Sequence, residues 1–311
     1  MASEIAQAGG VGIVDERTGG RVRKQFKDTT SELAMKDDKV VIVLGDISHF
    51  LFMPLQEKFP TRVYNMGICE NALISVAAGL SAQGFHPFVH TINPFITERC
   101  VEHIKDDLCY NRFGANIVST GASFDYAWDG ATHHCYGELA ILRLLPGMEV
   151  TQPGNRQELD TLIRSQYNNG RPTYFRLSDH GHILDVPVKF GRANILKDAG
   201  SKLTIMTAGP ILGNVMEAVQ DLPVNLVYFS TIKPIDREVI ARFKHTRILV
   251  VHDAHGLQEA IHEVPDLSVS YHGLPDRFCV WYGTIHDIRK MIGLDPAGIR
   301  QAVQTKLAAM P

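Results

Sequence analysis

An acid occupies a place where acids are uncommon. In YNMGICENALISVAAGLSAQGFHPFVH, residues 64–90, Glu70 separates a strand-like run (62–66) from a helix-like run (71–83), both largely apolar. A carboxylate there loses water and must find a partner, or moves toward its protonated form and can then hold and share a proton. Two further candidates lie in DGATHH: Asp129 and His133. An imidazole there reads as a satisfied or a catalytic group before it reads as a metal ligand. Glu70, Thr91, Asp129 and His133 each fall just after a strand-like run, the end of a parallel sheet at which ligands gather. On position alone, Glu70 reads equally well as a proton-handling acid and as an N-terminal acid offsetting a helix dipole.

The elements that must position these residues alternate in type. Candidate strands are VVIVLGD (40–46), RVYNM (62–66), PFVHTI (87–92), ANIVST (115–120), EVTQ (149–152) and TYFRL (173–177). Between them, ENALISVAAGLSAQ, ERCVEHIKDDLCYN, CYGELAILRLL and RQELDTLIRSQYNN carry helical periodicity. Such alternation predicts βαβ units and a mainly parallel sheet covered on both faces. The loop-like DHGHILDVPVKFGRA interrupts it. A second alternation follows with KLTIMTAG (202–209), VNLVYFST (224–231), RILVVHD (247–253) and FCVWYG (278–283), closed by the helical tail PAGIRQAVQTKLAAM. The expected fold class is α/β, with two tandem domains that are each a mainly parallel sheet flanked by helices. They are expected over 21–185 and 186–311, behind a loose N-terminal arm over 1–20.

Composition excludes several classes of function. The 311 residues are 45% hydrophobic and 21% charged, as in a globular protein of two ordinary domains. A net charge of −3 gives no footprint for nucleic acid or an anionic membrane. The five cysteines (Cys69, Cys100, Cys109, Cys135, Cys279) lack CxxC spacing and read as free thiols in a reducing cytoplasm. No charged leader with an apolar core opens the chain, and no apolar run approaches membrane-spanning length. The expected location is therefore cytoplasmic. GLSAQG is not a P-loop, no GxGxxG follows the first strand, and no GxSxG elbow or zinc spacing occurs. The adjacent imidazoles of THH would point apart in an extended loop, so no metal is expected there.

Taken in order, RVYNMGICENALISVAAGLSAQGFHPFVHT, DGATHH and RLLPGMEVTQPGNRQEL closely resemble the second half of transketolases. The likeness is greatest to split transketolases, in which two chains share what is usually one polypeptide. GLPDRFCVWYGTIHDIRKMIGLDPAGI is similar to the family's C-terminal domain, so the resemblance covers roughly residues 20–309. It implies a pyrimidine-binding domain followed by a transketolase C-terminal domain, and thiamine diphosphate as coenzyme. Glu70 would then meet N1′ of the aminopyrimidine from an apolar site that raises its pKa, preparing the coenzyme to lose its C2 proton. Phe95 would pack on the ring, Ile92 would add apolar contact, and Asp46 would lie near the cofactor and substrate entrance. Asp129 and His133 would face the sugar hydroxyls.

Nothing before residue 40 resembles the element with which single-chain transketolases hold the diphosphate through Mg²⁺. The resemblance therefore implies a partner subunit that carries it, an active site between the chains, and a two-plus-two heterotetramer. Where the family grips a substrate phosphate with Ser, His and Arg, this sequence aligns Phe50, Gly121 and Asp179, with Arg23 keeping a fourth position basic. An Asp in place of Arg repels a dianion, and Gly and Phe supply no side-chain donor. The expected acceptor is therefore atypical, unphosphorylated or specialised, with Trp128, Tyr126 and Phe50 offering flat apolar contact. Two other readings share the fold: the beta subunit of a 2-oxo acid dehydrogenase, and a non-catalytic regulatory subunit.

Overall fold

The computed structural model describes Gly12–Ile13, residues 22–280 and residues 282–310. The expected arm over 1–20 lies outside the described residues except for Gly12–Ile13, which pairs antiparallel with Leu184–Asp185. The first half of the chain forms α1 (Val22–Lys36), β1 (Val40–Leu44), α2 (His49–Lys58), β2 (Val63–Asn65), α3 (Glu70–Ala82), β3 (His86–Ile92) and β4 (Ala115–Thr120). It continues through α4 (Glu138–Leu144), β5 (Glu149–Thr151), α5 (Arg156–Gln166) and β6 (Pro172–Arg176). The second half forms β7 (Ala193–Lys197), β8 (Leu203–Ala208), α6 (Leu212–Val219), β9 (Asn225–Phe229) and β10 (Thr231–Lys233). After it come α7 (Arg237–Arg242), β11 (Arg247–Val251), α8 (Leu257–Ile261), β12 (Ser268–His272), α9 (Ile285–Met291) and α10 (Pro296–Ala308).

Two sheets result, each mainly parallel. In the first, β2, β1, β3, β4, β6 and β5 run parallel in that order, and β10 closes the far edge antiparallel to β5. In the second, the order is β12–β11–β8–β9–β7, with β7 alone antiparallel. Every residue of β1, β4 and β6 is buried, as a sheet covered on both faces requires. The first sheet reverses its strand order beside β1, with β2 on one side and β3 on the other. The crevice beyond the carboxyl ends of β1 and β3 is the switch point where open α/β sheets bind ligands.

The structure departs from the sequence reading in definite places. FCVWYG is not a strand: its described residues form a loop in which Phe278, Val280 and Tyr282 are exposed and Cys279 is buried. Its aromatics imitate a strand, whereas the real edge strand, β12, is hidden by its serines. Strands β7 and β10 lie outside the expected set, being respectively half-buried throughout and only three residues long. ERCVEHIKDDLCYN does not run as one α-helix but breaks into Val101–His103 and a π-helical stretch, Ile104–Tyr110. Thr91 lies inside β3 and is buried, not beyond the strand. Strand β10 also belongs to the first sheet, although its residues follow the expected boundary at 185/186. One apolar core runs from Val41, Leu73 and Ile117 through to Met206, Phe229 and Leu257, joining both halves. No helix among the described residues is long and apolar enough to cross a membrane.

Candidate active site

Helical period explains the buried acid. Leu73, Ile74, Ala77 and Ala78 form the inward stripe of α3, and Glu70 falls on that stripe one turn earlier. Only 3% of Glu70 is exposed, at the first turn of the helix. Its surroundings are not purely apolar, which corrects the expectation: Arg99 Nη1 donates to Glu70 Oε2 at 2.8 Å. This charge-assisted bond orients one carboxylate oxygen. The Arg99 guanidinium also lies 4.5 Å from the centroid of the Phe95 ring. Burial first, and the Glu70 charge second, push the nearby Cys100 thiol up to about 12, so it is no nucleophile at neutral pH.

The loop after β3 then meets the loop after β4. Ile92 ends β3, and Asn93–Ile96 forms a short helical turn that carries Phe95. Phe95 packs edge-on against His133 with ring centroids 5.2 Å apart. His133 stands at the end of the 3₁₀ turns Ala127–Thr132, which replace the expected extended loop. Thr132 Oγ1 lies 2.9 Å from His133 Nδ1, while Nε2 has no hydrogen-bond partner among the described residues. Asp129 and Trp128 are exposed on the same turns. His134 faces inward: it packs on Phe124 at 5.1 Å, and its Nε2 lies 3.3 Å from the Ala127 carbonyl oxygen. Glu70, Arg99, Phe95 and His133 thus form one chain of contacts. Arg99, which no sequence motif singles out, is its connecting member.

At the end of β1, Asp46 and Ser48 both adopt left-handed backbone, with φ of 70° and 64°. Non-glycine residues enter this region at a cost, and such strain concentrates at functional turns. Asn65 holds the turn: its Oδ1 accepts from Asp46 N at 3.0 Å and its Nδ2 donates to Asp46 Oδ1 at 3.2 Å. Phe50 follows on α2 and is 69% exposed. Among the described residues, no hydrogen bond or ring contact joins Asp46 or Phe50 to the Glu70 chain.

The remaining candidates gather behind Tyr126. Gly121 has φ of 87°, and a Cβ there would stand 2.3 Å from the Tyr126 ring. Tyr126 therefore fills the space that any side chain at 121 would take, and its ring lies 6.1 Å from that of His133. Arg23 is not a free cation. It pairs with Asp179 through two nitrogens, at 3.1 and 3.3 Å, so neither charge stands alone. Beneath them, buried Asp125 accepts from Ser178 Oγ at 2.8 Å and from Asp179 N at 2.9 Å.

Burial, aided by the charge of Asp179, pushes Asp125 up to about 7 against the bonds it accepts and the pull of Arg289. The folded state then binds more protons than the unfolded one between about pH 4 and pH 7. Stability from this group is full below pH 4 and is lost as pH rises through 7. Asp125→Asn should remove that loss, which amounts to a few kcal/mol. Urea unfolding at pH 5 and pH 7.5 checks it: equal pH dependence in the two proteins would show that Asp125 does not titrate this way.

Two family models match the chain: the transketolase pyrimidine-binding domain over residues 20–180 and the transketolase C-terminal domain over residues 191–299. One of the subunits of the apulose-4-phosphate transketolase of Phocaeicola vulgatus is 30% identical over 297 residues, 89% of this chain and 94% of its own. The 1-deoxy-D-xylulose-5-phosphate synthase of Thermus thermophilus is 28% identical over 305 residues, 92% of this chain. The chain spans 48% of that enzyme's length. A split-gene transketolase, solved as an inactive beta4 tetramer, has a TM-score of 0.79 and 27% identity over 92% of this chain and 98% of that one. With both domain types present in family order, and a relative matched nearly end to end, this chain belongs to the transketolase family.

Proposed function

We propose that this chain is the pyrimidine-binding subunit of a two-chain, thiamine-diphosphate-dependent transketolase. It would move a two-carbon ketol unit from a ketose donor to an unphosphorylated or otherwise atypical acceptor. The observation that carries the reading is the contact chain Glu70–Arg99–Phe95–His133, set at the switch point of a pyrimidine-binding domain. An aminopyrimidine needs a carboxyl group for its ring nitrogen and a flat or apolar surface for its face. Glu70 and Phe95, with Ile92 on the same segment, are the right types in the right neighbourhood, so the residues fit. When bound, the coenzyme supplies the electron sink for cleaving and forming the carbon–carbon bond. Glu70 shares a proton at the ring nitrogen while Arg99 fixes its second oxygen. His133 exchanges protons with substrate oxygens through its open Nε2, and Asp129 accepts from hydroxyls. Arg23, already neutralised by Asp179, and Gly121, covered by Tyr126, favour an acceptor without a phosphate.

A second chain would hold the diphosphate and Mg²⁺, in a two-plus-two heterotetramer. Half-length coverage of the synthase relative, and the apulose relative's being one subunit of its enzyme, support this. So do three exposed apolar side chains that follow strands of the first sheet, Phe50, Ile68 and Trp128, which are 69%, 72% and 66% exposed. Ile68→Asp should weaken assembly with the partner by about tenfold or more, read from the concentration dependence of complex formation. Unchanged assembly would remove Ile68 from the interface.

The direct test is co-purification with a chain bearing the diphosphate-binding element, followed by assay with thiamine diphosphate and Mg²⁺. Ketol transfer by the complex, and none by this chain alone, is the expected result. Strong preference for ribose 5-phosphate over every neutral acceptor would discard the acceptor assignment. Pyruvate decarboxylation onto a lipoyl acceptor would instead favour the dehydrogenase reading.

A further inference from the structure

A cavity of about 450 Å³ opens between the connector after β6 and the second domain. This is the size of small-molecule sites, and it shares no residue with the Glu70–Phe95–His133 chain. The connector contributes residues 179–184, the start of α6 contributes Gly213, Asn214, Met216 and Glu217, and α9 contributes His286 and Arg289. The floor is apolar and buried: Leu184, Pro210 and Met216. Two exposed imidazoles, His180 and His286, meet edge to face at the mouth, 5.9 Å between centroids.

The polar groups are unevenly matched. Arg289 is only 4% exposed, and its Nη2 donates to Asp253 at 2.7 Å. Its Nε is buried with no acceptor among the described residues. Asp179 is already engaged by Arg23, and Glu217 sits on the exposed outer turn of α6. Among the buried side-chain atoms of the lining residues, Arg289 Nε is the one that has no partner among the described residues. A guanidinium can only donate, so the complement is an acceptor group, best a carboxylate.

We propose that this interdomain cavity binds a small carboxylate with a compact apolar body. The acid end meets Arg289 and the imidazoles, and the body lies on Leu184, Pro210 and Met216. Such a ligand would bridge the connector and the second domain, outside the proposed coenzyme site.

Benzoate is a suitable probe, with benzamide as its neutral counterpart of equal shape. Calorimetric titration of the full chain should show saturable benzoate binding, with benzamide weaker by about tenfold. Gly213 lies on the cavity wall, and its Cβ position is 3.4 Å from His182 Cβ. Gly213→Leu fills the space and should abolish binding while thermal unfolding stays cooperative. Should Gly213→Leu not fold, His286→Ala, at an exposed position, decides: about tenfold weaker binding is expected. Absence of benzoate binding, equal affinity for benzamide, or wild-type affinity in His286→Ala would each overturn the proposal.

Discussion

Replacing Glu70 by Gln in the proposed two-chain enzyme should lower turnover by about 10²–10⁴-fold, the usual weight of a positioned proton-handling group. The substitution keeps shape and one acceptor oxygen but removes the acid. Arg99 would still find an oxygen at the position that it now contacts at 2.8 Å, so the fold around the first turn of α3 should survive. Coenzyme binding should weaken far less than turnover, because Phe95, Ile92 and the hold on the diphosphate proposed for the second chain are untouched. The informative measurement is therefore a pair: kcat of the complex, and coenzyme affinity by titration. Loss of kcat with retained affinity assigns Glu70 to proton handling. Equal loss of both would make it a binding residue. Unchanged turnover would favour the non-catalytic regulatory reading and remove Glu70 from the chemistry.

The legible part of this site is what lies on one element. Glu70, the helix period behind it and the strand before it are local, and so they can be read from adjacent residues. The alternation of strands and helices is readable for the same reason. What stays hidden depends on distant partners. Arg99 reaches Glu70 across 29 positions, and Asp179 neutralises Arg23 across 156. Residue types show the charges but not their cancellation, so Arg23 reads simply as basic. Gly121 is parallel: its sequence shows a missing donor, while the reason, the Tyr126 ring in its space, is tertiary. Edge strands β7, β10 and β12 are obscured because one-sided or short pairing leaves little apolar pattern.

The loop bearing Asp129 and His133 is held at its neck by a buried arginine, and removing it should be costly. Ser123 and Cys135 form an antiparallel bridge, with N–O distances of 2.7 and 2.9 Å. Arg176 Nη2 donates to Ser123 Oγ and to the Cys135 carbonyl, each at 3.0 Å, so one guanidinium clamps both sides. Its Nε donates to Glu138, which also accepts from Asn93 Nδ2 at 3.1 Å. Asn93 Oδ1 in turn accepts from Tyr174 at 2.7 Å. Arg176 and Glu138 are 1% and 0% exposed. Arg176→Met leaves Glu138 buried without its counter-charge and should destabilise the chain by about 3–5 kcal/mol. Arg176→Met with Glu138→Leu should cost clearly less than the sum of the single changes, because it removes the stranded charge. Both proteins, however, should lose the clamp at Ser123 and Cys135. The double variant should then unfold near the wild-type midpoint yet turn over poorly in the complex, since His133 is no longer held against Phe95. Wild-type turnover in that variant would mean that the loop needs no clamp. A stability loss equal to the sum would mean that the two side chains do not act as a pair.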